Sequence, residues 1–273
     1  MATQQINPQP VTQYLSVQGG KIAYDIQGAG PLVLLVPGMG DLRATYRFLT
    51  PALVQAGYTV ASVDLRGHGD SDSTFASYGD VESAADITSL LAALGAPAVI
   101  VGNSMGAGAA VIVAAQNPEL VEGLVLVGPF VRQPASSMAF SHLFLRVLMA
   151  RPWASLVWKA YLPKLYAGAR PTDFADYRNT VVAAMKRPGY ARTFSLTTRT
   201  DHTPASESLA DVNSPTLVVM GEEDPDFADP RGEADWISNA LGGTTVMIEE
   251  AGHYPQSQQP ERTSAAVVRF LNT

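Results

Sequence analysis

The sequence predicts an α/β protein: a mostly parallel eight-stranded sheet, with helices on both faces and a helical insertion interrupting it. Three observations point there. Six short runs are apolar without alternation, which suits strands buried on both faces. Helical patterns lie between most of them, as βαβ units require. The interval 129–212 has no such run, and it is too long for a loop.

In chain order, residues 12–18 and 21–27 alternate and are separated by Gly19-Gly20, the link of a tight hairpin. They supply antiparallel strands at one edge. The first continuous run is 32–36 (LVLLV), stopped by Pro37-Gly38. Runs of the same kind recur at 59–63, 98–101, 124–127, 216–220 and 245–248, each close behind a Gly or Pro. Helices are expected over 44–56, 81–94, 104–116, 231–240 and 261–271. Inside the interval they are expected over 137–150, 152–167, 172–186 and 190–198, punctuated by Pro or Gly. The core is then 1–128 with 213–273, and 129–212 is a helical cap.

Composition narrows the chemistry. The 273 residues carry 18 Lys and Arg against 25 Asp and Glu, a net charge of −7, and the pI is near 5.0. That argues against nucleic acid and anionic lipid as partners. There is no cysteine, which excludes thiolate nucleophiles, disulfides and Cys-based metal centres. No stretch approaches the ~20 apolar residues that span a bilayer. The start MATQQINPQP lacks the basic and apolar regions of a signal peptide. A cytoplasmic protein without membrane insertion is the expectation. Neither histidine spacing nor a glycine-rich phosphate loop implies a metal or cofactor, so none is expected. Oligomeric state stays open between monomer and homodimer.

The strongest local signal is Gly102-Asn103-Ser104-Met105-Gly106. It follows a buried strand and opens a helix of small residues, the context of a nucleophile elbow. A serine hydroxyl needs a base. Of the four histidines, His253 lies in a loop between the last strand and the last helix, level with Ser104 at the carboxyl edge of the sheet. The base needs a carboxylate to fix its tautomer. Asp224 follows the strand 216–220, with Asp226 as its main rival and Glu222 and Glu223 nearby. The order Ser104, Asp224, His253 leaves a long first gap where the cap inserts. Acyl transfer also needs donors for the developing oxyanion. The backbone N–H groups of Met105 and of Met39, in Pro37-Gly38-Met39-Gly40-Asp41, are the candidates. Gly38 lets the backbone approach the substrate.

These residues together resemble the α/β-hydrolase fold family, in particular its capped, esterase-like serine members, over essentially the whole chain. The segment Asp64-Leu65-Arg66-Gly67-His68-Gly69-Asp70-Ser71 is similar to one the family carries after its fourth strand, where it is mainly structural. The family's other acid position falls near Gly128-Pro129-Phe130, which holds no acid, and this strengthens Asp224. Many members have His-Gly where this chain has Pro37-Gly38, so the shape of the oxyanion loop departs from the pattern. The resemblance implies a small-molecule ester substrate, cleaved through an acyl-enzyme. Its alternatives are another acyl or C–C bond hydrolase, a cofactor-free perhydrolase, or a hydrolase-like small-molecule receptor or signalling protein with slow turnover. The cap is rich in aromatics, among them Phe140, Phe144, Trp153 and Trp158. With Phe130 and Tyr254 they suggest an apolar substrate pocket. The competing reading, that such aromatics hold cap to core, stays open.

Overall fold

A computed structural model describes residues 10–133 and 153–273. Its eight strands form one sheet: β1 (Gln13–Val17), β2 (Gly20–Gln27), β3 (Leu32–Val36), β4 (Thr59–Val63), β5 (Ala98–Asn103), β6 (Val121–Val127), β7 (Thr216–Gly221) and β8 (Thr244–Ile248). The order is β1-β2-β4-β3-β5-β6-β7-β8. β1–β2 and β2–β4 are antiparallel, and every later pair is parallel. This is the α/β-hydrolase fold expected from the sequence.

The apolar runs are explained by burial on both faces. Alternate residues point to opposite sides. Val33 and Leu35 join Val101, Val125 and Val219 in one core layer, while Leu34 and Val36 join Ile100, Leu126 and Val218 in the other. Helices α1 (Leu49–Gln55) and α10 (Pro260–Leu271) cover the first layer. Helices α2 (Asp80–Leu94), α3 (Met105–Gln116) and α8 (Pro230–Ala240) cover the second. A four-residue helix, α9 (Pro255–Gln258), precedes α10.

The single helix expected over 44–56 is two pieces: a 3-10 turn at Arg43–Tyr46, then α1. Pro51 accounts for the break. Its ring clashes with the carbonyl four residues back, so it is accommodated only in a helix's first turn.

Between β6 and β7 lie α4 (Ala154–Leu165), α5 (Phe174–Met185), α6 (Tyr190–Thr197) and α7 (Thr203–Ser208). The helix expected over 137–150 falls outside the described residues. Packing divides the interval. α4–α6 form their own cluster around Trp158, Leu162, Tyr166, Phe174, Tyr177 and Phe194. Ala205, Leu209 and Val212 pack instead into the sheet's core. Among the described residues no helix is long and apolar enough to cross a membrane.

Candidate active site

β5 ends at Asn103 and α3 begins at Met105, so Ser104 makes the turn alone, at φ 55° and ψ −122°. Such a backbone costs a non-glycine residue about 1–3 kcal/mol and persists only where its surroundings enforce it. Here the Ser104 N–H donates to the Val127 carbonyl (2.9 Å), and the Ser104 carbonyl accepts from the N–H groups of Ala107 (3.0 Å) and Phe130 (3.2 Å). The turn folds the helix back onto its strand. A Cβ on Gly102 would sit 2.5 Å from the Gly106 carbonyl oxygen, and one on Gly106 2.5 Å from that of Pro37. The loop after β3 passes over the serine: a Cβ on Gly38 would lie 2.7 Å from Ser104 Cβ and 3.3 Å from its Oγ.

Asp224 and His253 arrive on the loops after β7 and β8, at the same sheet edge. The buried Nδ1 of His253 lies 2.8 Å from the buried Asp224 Oδ2. With Asp224 ionised, Nδ1 donates the proton, which leaves Nε2 as the basic nitrogen. Asn103 ties this loop to the elbow: its amide donates to the carbonyls of Val127 (2.9 Å) and His253 (3.2 Å). Phe130, whose N–H holds the Ser104 carbonyl, sets its ring edge-on to His253 at 5.7 Å.

Asp226, the rival acid, places its Oδ2 3.6 Å from the same Nδ1, too far for a hydrogen bond. Burial pushes its carboxyl up, against the pull of His253. The donor atoms of Asp224, Asp226 and His253 lie within 4.8 Å of one another, as metal ligands would, but a cation at Nδ1 would have to displace its proton.

Burial alone would lower the pKa of His253. The Asp224 charge and hydrogen bond, aided by Asp226 and Asp41, outweigh it and raise the imidazole to about 9. A base must be neutral to act. If His253 is that base, kcat/KM for a neutral ester is expected to climb about tenfold per pH unit and level off near pH 9. A profile already flat at neutral pH would contradict this.

The loop after β3 is gripped from two sides. Below, the Gly40 N–H donates to His68 Nε2 (2.9 Å). His68 must then carry its proton on Nδ1, which donates to the Arg66 carbonyl (3.0 Å). Burial lowers the His68 pKa and keeps it neutral. Above, Trp158 Nε1 donates to the Gly40 carbonyl (2.8 Å) and the Tyr177 hydroxyl to Asp41 Oδ1. With Gly40 so engaged, the N–H groups of Met39 and Met105 remain without an acceptor among the described residues. Asp64 accepts from the Arg43 guanidinium and from the N–H groups of Arg43 (2.7 Å) and Asp70 (3.0 Å), so it braces the neighbouring loop.

The aromatics divide. Phe130 is part-exposed beside His253. Trp158 is buried against Phe194, and Tyr254 is stacked on Tyr166 at 4.8 Å, so both sit in the seam where helices α4–α6 meet the loops at the sheet edge. Trp153 lies 44% exposed just before α4. Phe140 and Phe144 fall outside the described residues. Sequence reasoning missed a second buried pair: His202 Nδ1 lies 2.7 Å from Asp80 Oδ2, and its ring is 5.6 Å from Phe130. The two residues are 122 apart in the chain, so no local pattern marks them.

Comparison with known proteins agrees with this architecture. A sn-1-specific diacylglycerol lipase ABHD11 of Mus musculus is 40% identical over 254 residues, which cover 88% of this chain and 81% of that one. A bromoperoxidase of Bacillus anthracis shares the fold with a TM-score of 0.84 at 20% identity, over 97% of this chain and 100% of that one. An esterase (EaEST) of Exiguobacterium antarcticum does so at 0.83 and 21%, over 96% and 100%. The model of the alpha/beta hydrolase family matches residues 33–266. With sheet order, elbow and whole-chain similarity in agreement, this chain belongs to the alpha/beta hydrolase family.

Proposed function

We propose that this chain is a serine hydrolase that cleaves small to medium, hydrophobic carboxylic esters through an acyl-enzyme. The observation that carries the reading is the imidazole of His253, held by buried Asp224 at the sheet edge where Ser104 stands on its strained elbow. Ser104 Oγ attacks the ester carbonyl carbon while His253 Nε2 takes its proton. The carbonyl oxygen becomes an oxyanion, received by the N–H groups of Met39 and Met105. Collapse of the tetrahedral intermediate breaks the ester C–O bond, and His253 returns the proton to the leaving alcohol. A water, deprotonated by His253, then releases the acid and restores Ser104.

Within residues 129–212, helices α4–α6 act as the cap, and the acyl or alcohol group rests against Gly38 and Phe130. The relative from Mus musculus is named a diacylglycerol lipase, an activity on an apolar carboxylic ester, which supports the substrate class.

The test is a panel of p-nitrophenyl acetate, butyrate and octanoate with matched thioester, amide and sugar esters, assayed on wild type, Ser104→Ala and His253→Ala. Sustained turnover of the p-nitrophenyl esters, lost in both variants, is expected. Full activity retained in both would remove the site. A preference for charged or sugar esters would remove the apolar pocket. Tight ligand binding with negligible turnover would favour a receptor.

A further inference from the structure

We propose that Asp226 is a second carboxylate acting on His253, and that Tyr161 of cap helix α4 governs how strongly its charge is felt there. The kinetic part of this inference rests on the hydrolase reading above; the electrostatic part does not.

The geometry separates the two acids by role. Asp224 Oδ2, at 2.8 Å, accepts the one hydrogen bond that Nδ1–H can donate. Asp226 Oδ2, at 3.6 Å, can only contribute charge. That charge is poorly screened, because the side chain of His253 is 3% exposed and that of Asp226 18%. The two carboxylates are fixed to each other: the Asp226 N–H donates to Asp224 Oδ1 at 3.0 Å, across Pro225. The other oxygen of Asp226, Oδ1, accepts from the Tyr161 hydroxyl at 2.9 Å. Tyr161 belongs to α4, so the cap reaches the acid and spreads part of its charge onto a neutral donor.

The groups that face His253 make the arrangement one-sided. Asp224 and Asp226 come from the loop after β7, and Asp41 acts from the loop after β3. The buried Tyr254 sets its ring edge-on at 5.1 Å, and Tyr161 acts through Asp226. While the imidazole is neutral, two carboxylates confront each other around it. When it accepts the serine proton, both are relieved. Asp226 therefore favours the imidazolium. It stabilises the step in which His253 takes a proton, and it keeps more of the resting enzyme protonated near neutral pH. Tyr161, by engaging Oδ1, moderates that bias.

The experiment follows the His253 imidazole by NMR titration, assigned by the signal lost in His253→Asn, beside the pH profile of kcat/KM on p-nitrophenyl butyrate. Asp226→Asn is expected to lower the titration midpoint by about one pH unit and to carry the acid limb of the profile with it. Tyr161→Phe is expected to raise the midpoint by a smaller amount. Asp224→Ala with Asp226→Asn is expected to be about tenfold less active than Asp224→Ala alone, because the remaining carboxylate partly replaces the first. Asp226→Ser provides the same reading if the amide variant folds poorly. A midpoint unmoved in a folded Asp226 variant overturns the proposal, even if Ser104-dependent hydrolysis is intact. A midpoint that falls while wild type hydrolyses no ester sustains the electrostatic assignment and removes the ester reading instead.

Discussion

Ser104→Ala is expected to lower kcat on p-nitrophenyl butyrate by about 10⁴- to 10⁶-fold while leaving the thermal midpoint essentially unchanged. The hydroxyl is the atom that forms the acyl-enzyme in the proposed reaction, so its loss removes the covalent route. What survives is direct attack by water at a site that still holds its oxyanion donors. The effect should not add to that of His253→Ala, because the base has nothing to deprotonate once the hydroxyl is gone. A double variant no worse than either single one is the expected result, and additive losses would show two independent routes. Stability behaves differently, because alanine keeps the backbone strain of φ 55°. Ser104→Gly removes it and is expected to gain about 1 kcal/mol net of the added freedom of the unfolded chain. The least active variant would then be among the most stable, a separation that calorimetry beside kinetics would detect.

Gly102→Ala is expected to cost about 3 kcal/mol or more, a fall of roughly 6–12 °C in Tm for a chain of this size. The added methyl would meet the Gly106 carbonyl oxygen at 2.5 Å and Ala107 Cα at 2.7 Å, both backbone atoms. They cannot give way cheaply. Ala107, Ala109, Ala110, Val111, Val113 and Ala114 of α3 are fully buried, and a Cβ on Gly106 itself would strike the Pro37 carbonyl. If the start of α3 did shift, it would carry the Met105 N–H with it, so activity should fall with stability. Gly123→Ala is the control. Its nearest neighbour would be 3.4 Å away, and a change within about 0.5 kcal/mol is expected. Equal midpoints for the two variants would mean that the elbow's closeness is not a packing requirement.

The features legible in the sequence were those set by local pattern. Strands buried on both faces must be apolar throughout, and a strand-to-helix turn of one residue needs glycine at its points of contact; both leave marks within a few residues. Pro51 was equally visible, but its consequence was missed, because the apolar spacing around it imitates one continuous helix. Other features depend on distance across the fold. His68 meets Gly40 from 28 residues away and Trp158 meets it from 118, so neither pairing has a sequence signature. Asp224 and Asp226 share one hexapeptide, and only the difference between 2.8 Å and 3.6 Å separates a bond from a charge. The helices α7 and α9 have six and four residues, too few to establish a helical period. Aromatic content could not distinguish a pocket wall from a seam, because burying a ring satisfies either.

That seam has a consequence for cooperativity. Trp158, Tyr177, Tyr190 and Thr193 of helices α4–α6 hold Gly40, Asp41, Ser71 and Gly67 on the loops after β3 and β4, and the end of α4 accepts from the His253 N–H at 2.8 Å. Raising these helices as a body would release the loop beside Ser104 and the imidazole's own backbone together. Helices α4–α6 and the carboxyl edge of the sheet are therefore expected to open as a single unit rather than as a door hung on a finished frame. Local unfolding there is expected to carry the cost of dismantling the candidate site, and a ligand that orders the site is expected to fasten these helices as well.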